Sequence, residues 1–310
     1  MKLGLLNCGG TITEHYRSDG TLDRLDADAL VELAGFGAAV DWVVHDIELV
    51  DSADLTFASI CRVRAAMRRD RTSEGFVLCC GTDAMEDVAY AAALLLDRDR
   101  PVAITGAALP GGGHGSDGGS NLQDAARLAW AMPGGTGPLV AFAGRAFDPA
   151  AMIKLWPQAM QPFGPDTAVR GTIDAGLVTL TGCCSSADSY AELDEADLTA
   201  RVAILVDGFG TGVGFPDLDA IDGLVVAGKG GGGFSTATEA YLREAVPRMP
   251  VVLSTRCAQG FRVNPAISKH AFGRAHGLGL LTAGYEGLNA FKAQIRLIAE
   301  LGRARRGTLL

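Results

Sequence analysis

The sequence predicts an α/β fold: a mostly parallel sheet with helices on both faces in a large N-terminal domain, followed by a smaller α/β C-terminal domain. Three observations lead there. Short apolar runs rich in β-formers alternate with stretches of helical periodicity, the pattern of strands joined by crossover helices. Glycine is abundant, 41 of 310 residues, as many tight strand-to-helix turns require. Between residues 185 and 200 the chain turns acidic and poor in large apolar side chains before the alternation resumes, which marks a solvated connection between domains.

Taken in order, Leu3–Asn7 reads as a first buried strand, closed at once by Gly9-Gly10. Phe76–Cys80 is a second strand, and Pro101–Thr105 a third, opening with a proline that a strand start tolerates. Leu139–Ala143 is another. Between them, Met85, Val88, Ala89, Ala92, Leu95 and Leu96 follow i, i+3, i+4, i+7 spacing and predict a helix over Asp83–Asp97. A second helix is expected over Asn121–Met132. Beyond the acidic stretch, strands are expected at Val202–Val206, Gly223–Val226 and Val251–Ser254, with helices near Thr236–Ala245 and Leu288–Leu301. The expected division is therefore 1–184, a 185–200 linker, and 201–310.

Composition narrows the functional classes. The chain is 48% hydrophobic and 20% charged, as soluble globular proteins are, and its net charge of −9 argues against nucleic acid as a partner. The apolar run Met1–Leu6 is too short for a signal peptide. No charge-free stretch reaches the ~18 apolar residues of a membrane span. Seven cysteines, an odd number without metal-type spacing, read as small buried residues in a reducing compartment, so a cytoplasmic location is expected. Five scattered histidines make no metal cluster, and neither a metal nor another cofactor is expected. Gly9-Gly10 lacks the third glycine of a dinucleotide fingerprint, and Gly228-Lys229-Gly230 lacks the hydroxyl residue of a phosphate-binding loop.

Ligands of a parallel sheet bind beyond the carboxyl ends of its strands, so the residues just after the expected strands are the candidates. Asn7-Cys8-Gly9-Gly10-Thr11 follows the first, Gly81-Thr82-Asp83 the second, and Lys154 comes after a loop beyond Leu139–Ala143. Paired glycines let the backbone approach a ligand, and their N–H groups can face an oxyanion. Thr11 is a nucleophile only if something takes its proton. Thr82 and Asp83 stand near a helix start, where an anion is favoured. Lysine serves as base or proton shuttle where its surroundings permit. Each segment alone also has a plainer reading: an ordinary glycine turn, a helix cap, a surface lysine. Cys8, three residues before Thr11, is a rival nucleophile.

In combination the segments say more. Cys-Gly-Gly-Thr-Ile (8–12), Asp-Ser (51–52), the run from Gly75 to Asp87, Ile-Thr-Gly-Ala-Ala-Leu-Pro (104–110) and Ser-Asp-Gly-Gly-Ser-Asn-Leu-Gln-Asp-Ala (116–125) resemble, in order and spacing, the bacterial L-asparaginase/glutaminase family. The resemblance covers nearly the whole first domain and extends more loosely over Gly223–Gly233, Val251–Gly260 and Lys292–Leu301. It implies hydrolysis of the L-asparagine side-chain amide to L-aspartate and ammonia through a threonine acyl-enzyme. A different small amide, or binding of an amino acid without turnover, remain as alternatives. On the matching positions, Thr11 attacks, Thr82, Asp83 and Lys154 form a second catalytic set, and Asp83 also holds the substrate's α-amino group. Ser52 takes the α-carboxylate, Asp51, Gly10 and Gly81 also bind the substrate, and the Ala107 carbonyl meets the leaving amide. The family assembles as dimers or dimers of dimers, so a homodimer or homotetramer is expected.

Three positions depart from the family's pattern. Where the family places a tyrosine after the nucleophile, this chain has Thr21, and the nearest tyrosine is Tyr16, which either replaces it or merely rides on the same segment. Gly231 stands where many relatives have an asparagine from the neighbouring subunit. Arg256–Ala275 holds no acidic residue, although some relatives supply a glutamate from this region.

Overall fold

The computed structural model describes residues 2–184, 188–210, 214–260 and 269–308. By internal contacts the chain divides into two compact units, Met1–Glu192 and Leu193–Leu310, with the division falling inside the expected connection. Tyr190, within that connection, is buried and donates its backbone N–H to Leu94. Of the Arg256–Ala275 stretch, residues 261–268 lie outside the described residues, as do 185–187 of the connection.

The first unit opens with β1 (Lys2–Gly9), whose residues from Leu3 onward are all buried, as an apolar run in the middle of a parallel sheet must be. A small hairpin follows, β2 (Glu14–Tyr16) and β3 (Leu22–Arg24). Then come α1 (Ala27–Ala34), β4 (Asp41–Val50), α2 (Phe57–Arg69), β5 (Gly75–Cys79), α3 (Met85–Leu95), β6 (Val102–Thr105), α4 (Gly118–Ala131) and β7 (Leu139–Phe142). Strands β8 (Arg145–Phe147), β9 (Ile153–Lys154), β10 (Phe163–Gly164), β11 (Val169–Asp174) and β12 (Leu177–Leu180) complete it. The large sheet runs β12-β11-β8-β7-β6-β5-β1-β4. Its β4-β1-β5-β6-β7 portion is parallel, and β8, β11 and β12 extend it antiparallel.

The strand order places the site. From β1 the chain steps out to β4 and returns to β5 on the other flank of β1, so the direction of winding reverses between β1 and β5. At such a switch point the loops after the two strands part, leaving a crevice beyond their carboxyl ends. Thr11 follows β1 there, and Thr82 follows β5.

Side-chain alternation feeds the layers. Leu3, Leu5, Val77, Cys79, Ala103, Leu139 and Ala141 share one core with α1 and α4, which pack on each other, while α2 packs on α3. The crossovers through α3 and α4 step the same way along the sheet but lie with different helix pairs. They therefore have opposite hands, an exception to right-handed connection. The exception brings the N-terminus of α4 to the crevice.

The second unit is a parallel three-stranded sheet in the order β13 (Val202–Val206), β14 (Gly223–Gly228), β15 (Val251–Thr255). It carries α5 (Thr236–Ala245), α6 (Lys269–Leu278) and α7 (Ala290–Thr308). Leu224, Val226, Val251 and Leu253 face Leu242 and Ala245 of α5 in its core. No helix among the described residues is long and apolar enough to cross a membrane.

Candidate active site

Gly9 and Gly10 both adopt positive φ, near 80° and 84°. A Cβ on Gly9 would meet the Val50 backbone at 2.5 Å, and one on Gly10 would meet the Gly81 nitrogen at 2.2 Å. Two glycines are thus required for the chain to leave β1 and touch the loop after β5. The Gly9 N–H is already given to the Asn7 side chain at 3.1 Å, so it is not free to face an oxyanion. The turn delivers Thr11 to the start of a short 3-10 helix, Thr11–Thr13. Among the described residues no hydrogen bond engages the Thr11 hydroxyl.

Across the crevice, Thr82 and Asp83 stand just ahead of α3, and neither side chain caps it. The N-terminal amide of Ala84 is instead satisfied by Ser52, a buried residue whose hydroxyl accepts at 3.2 Å. Ser52 also packs against Gly81, where a Cβ would lie 2.9 Å from its Oγ. Glu86 and Asp87 in the first turn of α3 complement its dipole. Freed from capping, Thr82 and Asp83 turn to Lys154.

Lys154 does not sit in an open loop. It belongs to β9, paired with Phe163 of β10, and its backbone N–H reaches Glu86 at 3.3 Å. Phe163 in turn packs edge-on to Phe142 at 5.1 Å, anchoring the hairpin to the large sheet. From this base the Lys154 side chain, 12% exposed, places Nζ 3.0 Å from Thr82 Oγ1 and 2.6 Å from Asp83 Oδ1. Thr11, Thr82, Asp83 and Lys154 together line one cavity of about 590 Å³. The Asp83 carboxylate is 82% exposed and keeps acceptor capacity beyond its lysine.

The other expected residues fall around this cluster. Gly10, Gly81 and Ser52 form the contact beneath it. Ala107 is buried, while Ala108 and Leu109 of the same turn line the cavity. The Asp51 carboxylate goes to Arg24 at 3.1 Å and is not among the lining residues. Tyr16 lies on the exposed edge of the β2–β3 hairpin, outside the lining set, and its backbone pairs with Gly111. Thr21 bonds to Asp19 in the hairpin turn. Cys8 is buried in β1, and burial, with Cys80 and Glu48 nearby, pushes its thiol well up, away from thiolate chemistry. Gly231 is exposed in the second unit.

One functional feature escaped the sequence reading. Asp117, buried just ahead of α4, accepts the N–H groups of Ala108 and Leu109, each at 3.0 Å, and the Asn121 amide at 2.8 Å. Asn121 also donates to the Gly106 carbonyl at 3.0 Å and accepts from Ala143 N–H at 3.1 Å. These two residues fix the turn that walls the cavity. The signal was present in Ser-Asp-Gly-Gly-Ser-Asn, an acidic residue and an amide one helical turn apart at a helix start. Among the described residues no group of three or more His, Cys, Asp or Glu is arranged to hold a metal ion.

Known proteins share this arrangement of chain. A family model described as Asparaginase, N-terminal, matches residues 2–181. A protein of Deinococcus radiodurans named Probable L-asparaginase is 30% identical, the match covering 97% of this chain and 92% of that one. An L-asparaginase of Thermococcus kodakarensis is 29% identical over 84% of this chain and 81% of its own length. The crystal structure of a probable cytoplasmic L-asparaginase from Campylobacter jejuni superposes with a TM-score of 0.79 at 25% identity, covering 97% of this chain and 94% of that one.

Proposed function

The chain belongs to the asparaginase family of amidohydrolases, and from that premise we propose that it hydrolyses the side-chain amide of L-asparagine to L-aspartate and ammonia through an acyl-enzyme on Thr11. The observation that carries this reading is the position of Lys154 Nζ, within hydrogen-bond reach of both Thr82 Oγ1 and Asp83 Oδ1 in a cavity that Thr11 also lines.

In the first step Thr11 Oγ1 attacks the amide carbonyl, the C–N bond breaks, and ammonia departs with the proton that Thr11 gives up. In the second, water adds to the ester and Thr11 recovers its hydroxyl as aspartate leaves. Lys154 Nζ takes a proton from Thr82 or from water, and Thr82 relays it. Asp83 holds the substrate's ammonium in a charge-assisted pair. Ser52 takes the α-carboxylate near the first turn of α3, where N–H groups and the helix dipole favour an anion. The Ala107 carbonyl receives the leaving amide. Tyr16, exposed on the β2–β3 hairpin, closes over Thr11 only when that hairpin gives up its backbone pairing with Gly111. The protein works as a homodimer or homotetramer, in keeping with the preference for closed symmetric assembly, and in the cytoplasm, like the Campylobacter relative.

Ammonia release from L-asparagine by the purified chain tests this. Thr11→Ala is expected to lower kcat by at least about 10³-fold without changing the melting temperature. Cys8→Ser is expected to keep the activity; the reverse outcome assigns the nucleophile to Cys8.

A further inference from the structure

The cavity has two unlike halves. Thr11, Thr82, Asp83 and Lys154 supply polar groups on one side and Gln158 one more on the other, and the rest is apolar: Ala108, Leu109, Pro157, Ala159, Met160 and Pro162. Its volume, about 590 Å³, belongs with pockets that bury ligands larger than a single polar amino acid. Leu109 and Met160 remain 39% and 44% exposed, large apolar side chains left facing solvent at a site built for binding.

Both apolar walls are braced. Leu109 stands on the turn whose two N–H groups are held by Asp117. Pro157 and Met160 ride the excursion between β9 and β10, closed at its base by the Leu155 and Trp156 N–H groups donating to the Pro162 carbonyl. Preformed apolar surface of this kind gains nothing from ammonia as leaving group. It would gain from a substituent buried against it, since apolar area removed from water is stabilising.

Resting on the Thr11 reading above, we propose that the site takes β-amides of aspartate whose nitrogen carries an apolar alkyl or aryl group, seated between Leu109 and Met160. The direction follows from the polar half. Asp83 and Ser52 hold the two ends of the amino acid's backbone, so the leaving nitrogen is the position free to extend, and the 106–109 turn receives it. The chemistry balances without a further reactant. Thr11 Oγ1 bonds to the carbonyl carbon, the C–N bond breaks, and the amine leaves with the proton from Thr11. Water then cleaves the ester, giving aspartate and restoring the threonine hydroxyl.

The test compares L-asparagine with L-aspartic acid β-anilide on the full-length protein, reading aspartate together with ammonia or aniline. The expected result is a kcat/KM at least tenfold higher for the anilide, with Thr11→Ala abolishing both reactions. Met160→Asp and Leu109→Asp, at two exposed positions that folding tolerates, are each expected to shrink the anilide-to-asparagine ratio at least fivefold. Asparagine cleaved as well as or better than the anilide overturns the extended substrate class and leaves the Thr11 reading standing. Neither compound cleaved by folded protein overturns both. A ratio unmoved by either substitution removes Leu109 and Met160 as the binding wall.

Discussion

Among the described residues lysine, aspartate and threonine meet in both units, beyond the parallel strands of each, and the two meetings differ in what they leave unused. In the first unit Lys154 bridges Thr82 and Asp83 at the edge of a cavity, with the carboxylate 82% exposed. In the second, Asp207 follows β13 and is 1% exposed. One of its oxygens accepts the Thr238 hydroxyl at 2.5 Å and the Ser235 hydroxyl at 3.0 Å, and the other accepts Lys229. Ser235 spends its own oxygen capping α5 through the Thr238 N–H. Both oxygens of that carboxylate are consumed by the fold. On the proposed function, the same residue types serve catalysis in one place and architecture in the other, and a carboxylate with spare acceptor capacity beside an open cavity marks the difference.

The comparison breaks most visibly in mutants of the two lysine partnerships. Lys154→Met is expected to lower kcat for L-asparagine by roughly 10²–10⁴-fold, the usual range for a lost acid–base group. Its melting temperature should stay within about 2 °C, because an ion pair with so exposed a partner adds little stability. Asp207→Ala is expected to do the opposite. Removing the carboxylate leaves the buried Thr238 hydroxyl without its acceptor, and the half-buried Ser235 and partly exposed Lys229 without theirs, at a cost of about 1–3 kcal/mol in unfolding free energy. Activity per folded molecule should change less than about twofold. Denaturant unfolding and ammonia release on both variants check the pair together. Loss of activity with full stability in Asp207→Ala would move that cluster into the catalytic machinery.

How much of this could be read from residues alone depends on how locally each part is encoded. Val202–Val206 and Thr236–Ala245 appear where periodicity put them, because each builds its own face of a small core. Helix α2 did not announce itself. Arg62, Arg64, Arg68 and Arg69 make it look solvated, yet Arg64 is buried with its guanidinium on the carbonyls of Leu95 and Ala191, partners remote in sequence. The β9 and β10 strands are two residues each, too short for any period, although they hold Lys154. Strand β11 did carry a readable alternation, exposed at Thr172 and Asp174 and buried at Gly171 and Ile173. At the site, Lys154 stood in no motif and was reached only through its place after the Leu139–Ala143 strand and the family resemblance, whereas Thr11, Thr82 and Asp83 were visible through short ordered motifs. The Asp117 brace and the Leu109–Met160 wall were not, since only the tertiary turn shows what they face.

A smaller effect sharpens the comparison through pH. Burial alone would raise the Asp207 carboxyl, but the Lys229 ammonium and the Thr238 and Ser235 hydroxyls outweigh it and hold the group below the usual carboxylate range. In the first unit Asp70 is likewise held below the usual carboxylate range: burial is again opposed, here by the Ser73 hydroxyl, the Thr72 and Ser73 N–H groups and His45. A carboxylate whose pKa is lower in the folded state leaves the unfolded chain binding more protons across the interval between the two values. Stability therefore rises with pH there. The contribution is complete above about pH 5, fades as pH falls past the unfolded value near ~3.9, and is gone below the folded value. Melting curves between pH 7 and pH 3 should fall on the acid side in the native chain and fall less steeply in Asp207→Asn, which has no proton to gain. An unchanged slope in that variant would show that the buried Asp207 pair adds nothing to acid stability, and burial would then be a poor guide to which lysine–aspartate pair the fold depends on.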